Sequence, residues 1–206
     1  MRRVHGPLIV LGLLGLACSA VDVRQQSADR YEKVRTRWTR AAKSLERFDL
    51  QVSIAATFLS NEYCIARREH LTALYQYGPE EVARLEADGQ KDQARGEEFL
   101  VGIFVPDRKH DKLHRRHSPW HLRLLVDELP PLTPVEIQRD RRPLPEREVL
   151  YPHFEIWDRV YRVFFPRERS DGSPAVPPGS RFVRLALDGP LGVARLEWDL
   201  QKLGSK

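Results

Sequence analysis

Phe48-Asp49-Leu50-Gln51-Val52-Ser53-Ile54-Ala55-Ala56-Thr57-Phe58 is the stretch that decides the fold class. Apolar residues occupy every second position, with Asp49, Gln51, Ser53, Ala55 and Thr57 between them, which is the period of a strand with one buried face. Val52, Ile54 and Thr57 are β-branched and favour a pleated conformation.

Upstream the period differs. Tyr31, Val34, Trp38, Ala41 or Ala42, and Leu45 recur at steps of three and four, predicting an amphipathic helix with Ser27 as N-cap. Arg30, Lys33, Arg35, Arg37, Arg40 and Lys43 make its other side basic. Downstream, Ser60-Asn61-Glu62 opens a second helix carrying Tyr63, Leu71 and Leu74, and Gly78-Pro79 separates it from a third, which is expected to fray across the polar run 89–96.

From Glu98 the chain reads as β. Alternating runs at 99–105 and 120–126, a short run at 135–137, then 160–165, 182–187 and 193–200 bring the strands to seven with 48–58. Ser170–Ser180 is a loop by composition, and Asp188–Gly192 a hairpin turn. No helix of crossover length separates the later strands, so a parallel sheet is disfavoured. The expected fold is α+β and mainly β: a seven-stranded antiparallel β-sandwich, with the immunoglobulin-like form as one version of it and helices before and after the first strand.

Two cysteines among 206 residues exclude a disulfide framework. Neither a nucleophile elbow nor a glycine-rich phosphate loop is present, and Cys64 and His70 are six residues apart, off one helical face. The chain reads as a non-enzymatic protein.

The N-terminus carries an address. Arg2 and Arg3 precede the eleven-residue apolar run Pro7–Ala17, too short to span a bilayer. Gly15-Leu16-Ala17-Cys18 then resembles the lipobox of bacterial lipoproteins, although the position three before the cysteine is Gly15 where an aliphatic residue is commoner. The resemblance implies cleavage before Cys18, lipidation of Cys18, and a place in the Gram-negative envelope. Ser19 after the cysteine resembles outer-membrane sorting, with the chain facing the periplasm. The alternative is a plain signal peptide cut near Ala17 or Ala20. The domain division is then 1–17 signal, 18–27 tether and 28–206 a single domain. Removing residues 1–17 from the +5 chain takes away two positive charges and no negative ones, leaving +3 on 189 residues, which gives no case for nucleic acid. The membrane, through the lipid, and an envelope protein are the expected partners.

Three groups of residues could carry binding. His110, His114, His117 and His121 step by four, three and four, so a helix would place them on one face where a divalent transition metal could sit. Pro119 and the surrounding Arg108, Lys109, Lys112, Arg115 and Arg116 oppose this, and a solvated connection is the plainer reading. Tyr151, Phe154, Trp157 and Tyr161 could line a recognition surface for a protein partner, or cap one end of the fold. Arg123, Arg162, Arg181, Arg184 and Arg195, if they share an outer sheet face, could meet phosphates, carboxylates or an acidic protein.

Expressed in a Gram-negative bacterium, the chain is expected to begin at Cys18, to carry a lipid-sized mass increment, and to partition with membranes. Cys18→Ser is expected to lose the increment and release the protein. Intact-mass measurement with membrane fractionation checks both, and an unlipidated soluble chain refutes the anchor.

Overall fold

The computed structural model describes residues 14–204, with side chains described from Asp22 onward. The signal residues 1–13 therefore lie outside the described residues, and only the backbone of Cys18 is described.

The described chain is mixed α and β, with eight strands in two antiparallel sheets and five α-helices. Helix α1 (Leu14–Trp38) leads into β1 (Thr39–Glu46) and β2 (Asp49–Phe58). Then come α2 (Asn61–Tyr75), α3 (Pro79–Arg95), β3 (Glu97–Phe104), a 3-10 turn at Arg108–His110, and β4 (His121–Val126). The rest comprises β5 (Glu136–Arg139), α4 (Leu144–Leu150), β6 (Arg159–Phe165), β7 (Phe182–Gly189), β8 (Gly192–Asp199) and α5 (Leu200–Gly204). One sheet has the order β1-β2-β3-β6-β5, the other β4-β7-β8.

Ring packing joins the sheets. Register pairs Phe58 with Phe99, whose rings stack at 4.6 Å. From the second sheet Trp198 meets Phe99 at 5.5 Å, and its indole N–H donates to the Trp38 carbonyl at 2.8 Å. Val52, Ile54, Ala56, Val101, Ile103, Leu185 and Leu196 complete the layer. Helices and the 150–158 segment cover the other face of the five-stranded sheet. A Cβ on Gly102 would lie 2.4 Å from the Phe154 ring, so only glycine permits that cover to come so close.

Four expectations are corrected. First, the helix ends at Trp38: Thr39–Glu46 is a strand pairing with β2, Ala41 opposite Ala55, so Ala41, Ala42 and Leu45 extend no helical stripe and the strands number eight. Second, Phe48 does not face the core. It sits with Arg47 in a two-residue turn, both at positive φ, and is 98% exposed. Third, Ser27 is inside α1, its hydroxyl bonded back to the Arg24 carbonyl, so residues 22–27 are helical and Ser27 is no cap. Burial along α1 starts at Tyr31. Fourth, α3 continues through Gly89 to Arg95.

Trp198→Ala is expected to cost about 3–5 kcal/mol, because it empties the layer between the sheets and orphans the Trp38 carbonyl. Equilibrium urea unfolding measures it. A loss under about 1 kcal/mol would show that the ring cluster does not hold the sheets together.

Candidate functional site

The His-rich segment 110–121 carries four histidines at steps of four, three and four. It forms no α-helix: His110 closes the 3-10 turn, His114 and His117 lie in successive turns, and His121 opens β4. His110 Nδ1 faces Asp107 at 3.1 Å, and the His114 ring lies 5.6 Å from that of Tyr161. Among the described residues no group of three or more His, Cys, Asp or Glu could hold a metal ion. Pro119 and the turn hydrogen bonds within 107–118 account for the absence of a common helical face.

Of the four aromatic residues expected on a surface, Tyr151 and Tyr161 are fully buried and Phe154 nearly so. They are core residues, and Trp157, with its neighbour Ile156, is the exposed pair. The strand arginines do not share a face. Arg123, Arg184 and Arg195 stand on the three-stranded sheet with their charges matched by Asp188 and Glu197. Arg181 stacks on Phe182 just before β7, and Arg162 belongs to the other sheet. The basic side of α1 is also largely paired, Arg30 with Glu69, Arg35 with Glu32 and Arg37 with Glu62.

Unmatched charge gathers elsewhere. A groove of ≈ 1680 Å³ wraps the β5–β6 end of the five-stranded sheet, between α2, α3, α4 and the loops at 108–114 and 156–158. Eight arginines line it: Arg67, Arg108, Arg139, Arg141, Arg142, Arg147, Arg159 and Arg162. Five carboxylates line it too: Asp92, Asp111, Asp140, Glu146 and Asp158. Arg159 is paired with Asp111, Arg142 with Asp140, and Arg162 with Asp92 and with Glu98 behind it. The side chains of Arg108, Arg139, Arg141 and Arg147 have no carboxylate within ion-pair distance and make no hydrogen bond among the described residues. Ile156, Trp157, Ile137, Leu71 and Leu85 give the groove an apolar lip and wall.

The floor is built around one phenol. Tyr151 Oη accepts from Arg67 Nη1 and from Arg142 Nη1, each at 2.9 Å. Asp140 fixes Arg142 through its Nε. Burial opposes ionisation of Tyr151, but the two guanidinium charges and their hydrogen bonds outweigh it and bring its pKa below the usual tyrosine value. The Tyr151 oxygen in turn is the main cause of an upward shift at Arg67. Alongside, the Tyr31 hydroxyl donates to the Leu150 carbonyl at 2.5 Å, leaving its oxygen to accept from Tyr63 at 2.8 Å. Burial raises the pKa of both tyrosines. The rest of Tyr31 stacks on His70 at 4.9 Å. Helix α1 is thereby tied to α2 and to the end of α4.

His153 closes the network. Arg35 Nη1 lies 3.1 Å from His153 Nδ1 and has no acceptor to offer, so Nδ1 is the bare nitrogen. Nε2 then carries the hydrogen and donates to Thr57 Oγ1 at 3.0 Å, and Thr57 meets Thr39 at 2.8 Å. Burial, then the Arg35 charge, lowers the His153 pKa to about 3.

Among the described residues no Ser, Thr or Cys lines the groove. Cys64 is half-buried, its thiol pKa raised by burial, and its Sγ donates to the Leu59 carbonyl. What the arrangement does chemically is hold several guanidinium groups around one partly apolar groove. Sequence reading missed this site, since its arginines come from α2, the 3-10 turn at Arg108–His110, β5, the 140–143 loop, α4 and β6; the short run Arg139-Asp140-Arg141-Arg142 was its only local signal.

No protein-family model matches the chain, and no curated protein matches it. Among solved structures it is similar to a protein of unknown function from Burkholderia pseudomallei K96243, at 10% identity over 88% of this chain and 88% of that chain, with a TM-score of 0.45. Among the described residues no helix is long and apolar enough to cross a membrane.

A histidine whose pKa falls on folding makes the unfolded state bind more protons between the two values. His153 therefore contributes stability that is complete above its unfolded pKa near 6.5 and is lost as pH falls towards about 3. The unfolding free energy should drop across that window with a limiting slope of about 1.4 kcal/mol per pH unit from this group. His153→Gln, able to accept from Arg35 and donate to Thr57, is expected to flatten it. Urea unfolding at pH 4, 5, 6 and 7 compares the two chains, and equal slopes would contradict the assignment.

Proposed function

We propose that this chain is a lipid-anchored binding module of the bacterial envelope, fixed to the outer membrane through Cys18 and facing the periplasm, whose arginine groove takes an anionic partner. In the same reading its two sheets form a β-sandwich whose face and edge carry the binding surface. The observation that carries the reading is the imbalance in one groove of eight guanidinium groups over five carboxylates, five of the arginines having no acidic partner at ion-pair distance among the described residues. Low-dielectric walls focus such a charge, so an anion meets it with a raised local concentration and a faster encounter.

The anchor supports the same reading. Residues 18–30 are helical, Asp22–Gln26 are exposed, and among the side chains described the first half-buried one is Ser27 and the first buried one Tyr31. Nine helical residues, 18–26, at 1.5 Å each separate the lipid from the packed part of α1 by about 14 Å. The arginines of the three-stranded sheet are matched by Asp188 and Glu197, unlike five of those in the groove. Binding without turnover fits a site that offers donors and apolar walls but no paired nucleophile and base.

The Cys18→Ser chain is expected to be retained on heparin and released by salt. Replacing Arg139, Arg141 and Arg147 together by Gln should weaken heparin binding about tenfold, since each lost exposed charge is worth a fraction of a kcal/mol. Titration calorimetry at two salt concentrations measures this. Unchanged affinity in the triple variant would refute the groove as the binding surface.

A further inference from the structure

Within the anion-binding groove, and resting on that reading, we infer that the floor around Arg67 and Arg142 is a phosphoryl-binding site in which Tyr151 positions both guanidinium groups. Both arginines place Nη1 2.9 Å from the Tyr151 oxygen. Two like charges so close repel, and burial and the Arg67 charge both work against protonation of Arg142, but the Tyr151 oxygen and Asp140 outweigh them and leave its pKa raised. The pair is therefore stable without a ligand, and the guanidinium donors not committed to Tyr151 or Asp140 are left for an anion.

The geometry selects the class of anion. Arg67 and Arg142 both line the groove while their Nη1 atoms are committed to Tyr151 behind it. Neither Nη2 nor Nε of Arg67 is a buried orphan, and Arg67 lines both this groove and the smaller pocket between α2 and α3. Arg141 lies one residue from Arg142, and Arg147 comes from α4 with its Nε buried and unpartnered. Guanidinium groups from α2, from the loop after β5 and from α4 thus line the one groove. A carboxylate is planar and one arginine fork satisfies it, whereas a phosphoryl group has three tetrahedral oxygens and more charge, and takes forks from several directions. Trp157 and Ile156, exposed at the lip, suit an apolar substituent on the same ligand. A lipid headgroup and a soluble phosphate share this chemistry.

Calorimetry on the full chain carrying Cys18→Ser, with inorganic phosphate against succinate as a dianion of similar charge, tests the inference. Phosphate is expected to bind at least tenfold tighter than succinate, and Tyr151→Phe to lose at least tenfold in phosphate affinity and with it the preference. Arg184→Gln, on the other sheet, should change neither. If Tyr151→Phe fails to fold by circular dichroism, Arg142→Lys takes its place: it keeps the charge, removes the fork, and is expected to lose the same preference. Equal binding of succinate, or a preference untouched in the variant, overturns the phosphoryl assignment. Heparin binding that survives while phosphate binding is absent overturns this inference and leaves the groove reading standing; loss of both overturns both. Competition by phosphatidic acid vesicles but not phosphatidylcholine vesicles supports a lipid headgroup as the source, and phosphate binding without vesicle binding supports a soluble one.

Discussion

Two guanidinium groups sharing one phenol oxygen is the constraint on which the site depends. Arg67 belongs to α2 and Arg142 to the loop that enters α4, so Tyr151 holds together segments far apart in the chain. A buried cation without a partner costs several kcal/mol. Here the shared partner is a phenol oxygen, and only Arg142 has a carboxylate, Asp140, beside it, so the pair as a whole keeps attraction to spare. An aspartate in place of Tyr151 would cancel that charge and leave a merely structural ion pair.

The fold makes that arrangement possible by covering the five-stranded sheet on both faces. On one face Phe58, Phe99 and Trp198 join the sheets. On the other, Gly102 admits Phe154 against the backbone, which brings the 150–158 segment down onto the sheet. Tyr151 and His153 follow into the interior, where His153 is clamped between Arg35 and Thr57 and kept neutral. The aromatic segment is therefore a packing element with one exposed tip at Ile156 and Trp157. Its burial supports the groove from beneath and does not itself form a recognition face.

Much of the fold was legible in the sequence, and the reasons for the rest are physical. Strands with one strongly apolar face, such as 50–58 and 182–187, announce themselves by alternation. Strand β1 does not, because Ala41, Ala42 and Leu45 also satisfy a helical period, and its turn uses Arg47 and Phe48 at positive φ with none of the glycine or asparagine that marks such turns. Pairing with β2 outweighed helical propensity there. The site was less legible than the fold. Histidine spacing suggested a metal face that needs a helix, and Pro119 with the local turns denies it. The arginines of the groove are dispersed over six segments, and no pattern in one dimension separates them from the matched arginines of β4, β7 and β8. Only the pairing of each charge does that, and pairing is a tertiary property.

The groove is read as a receptor for an anion, held where Arg67 and Arg142 line it in front of Tyr151. A crystal of the chain soaked in tungstate, a tetrahedral oxyanion with a strong anomalous signal, tests this most directly. The account predicts an anomalous peak within hydrogen-bond distance of Arg67 and Arg142, with Arg147 or Arg141 as a third donor. A map with tungstate bound at other surface arginines and none at that floor would contradict it.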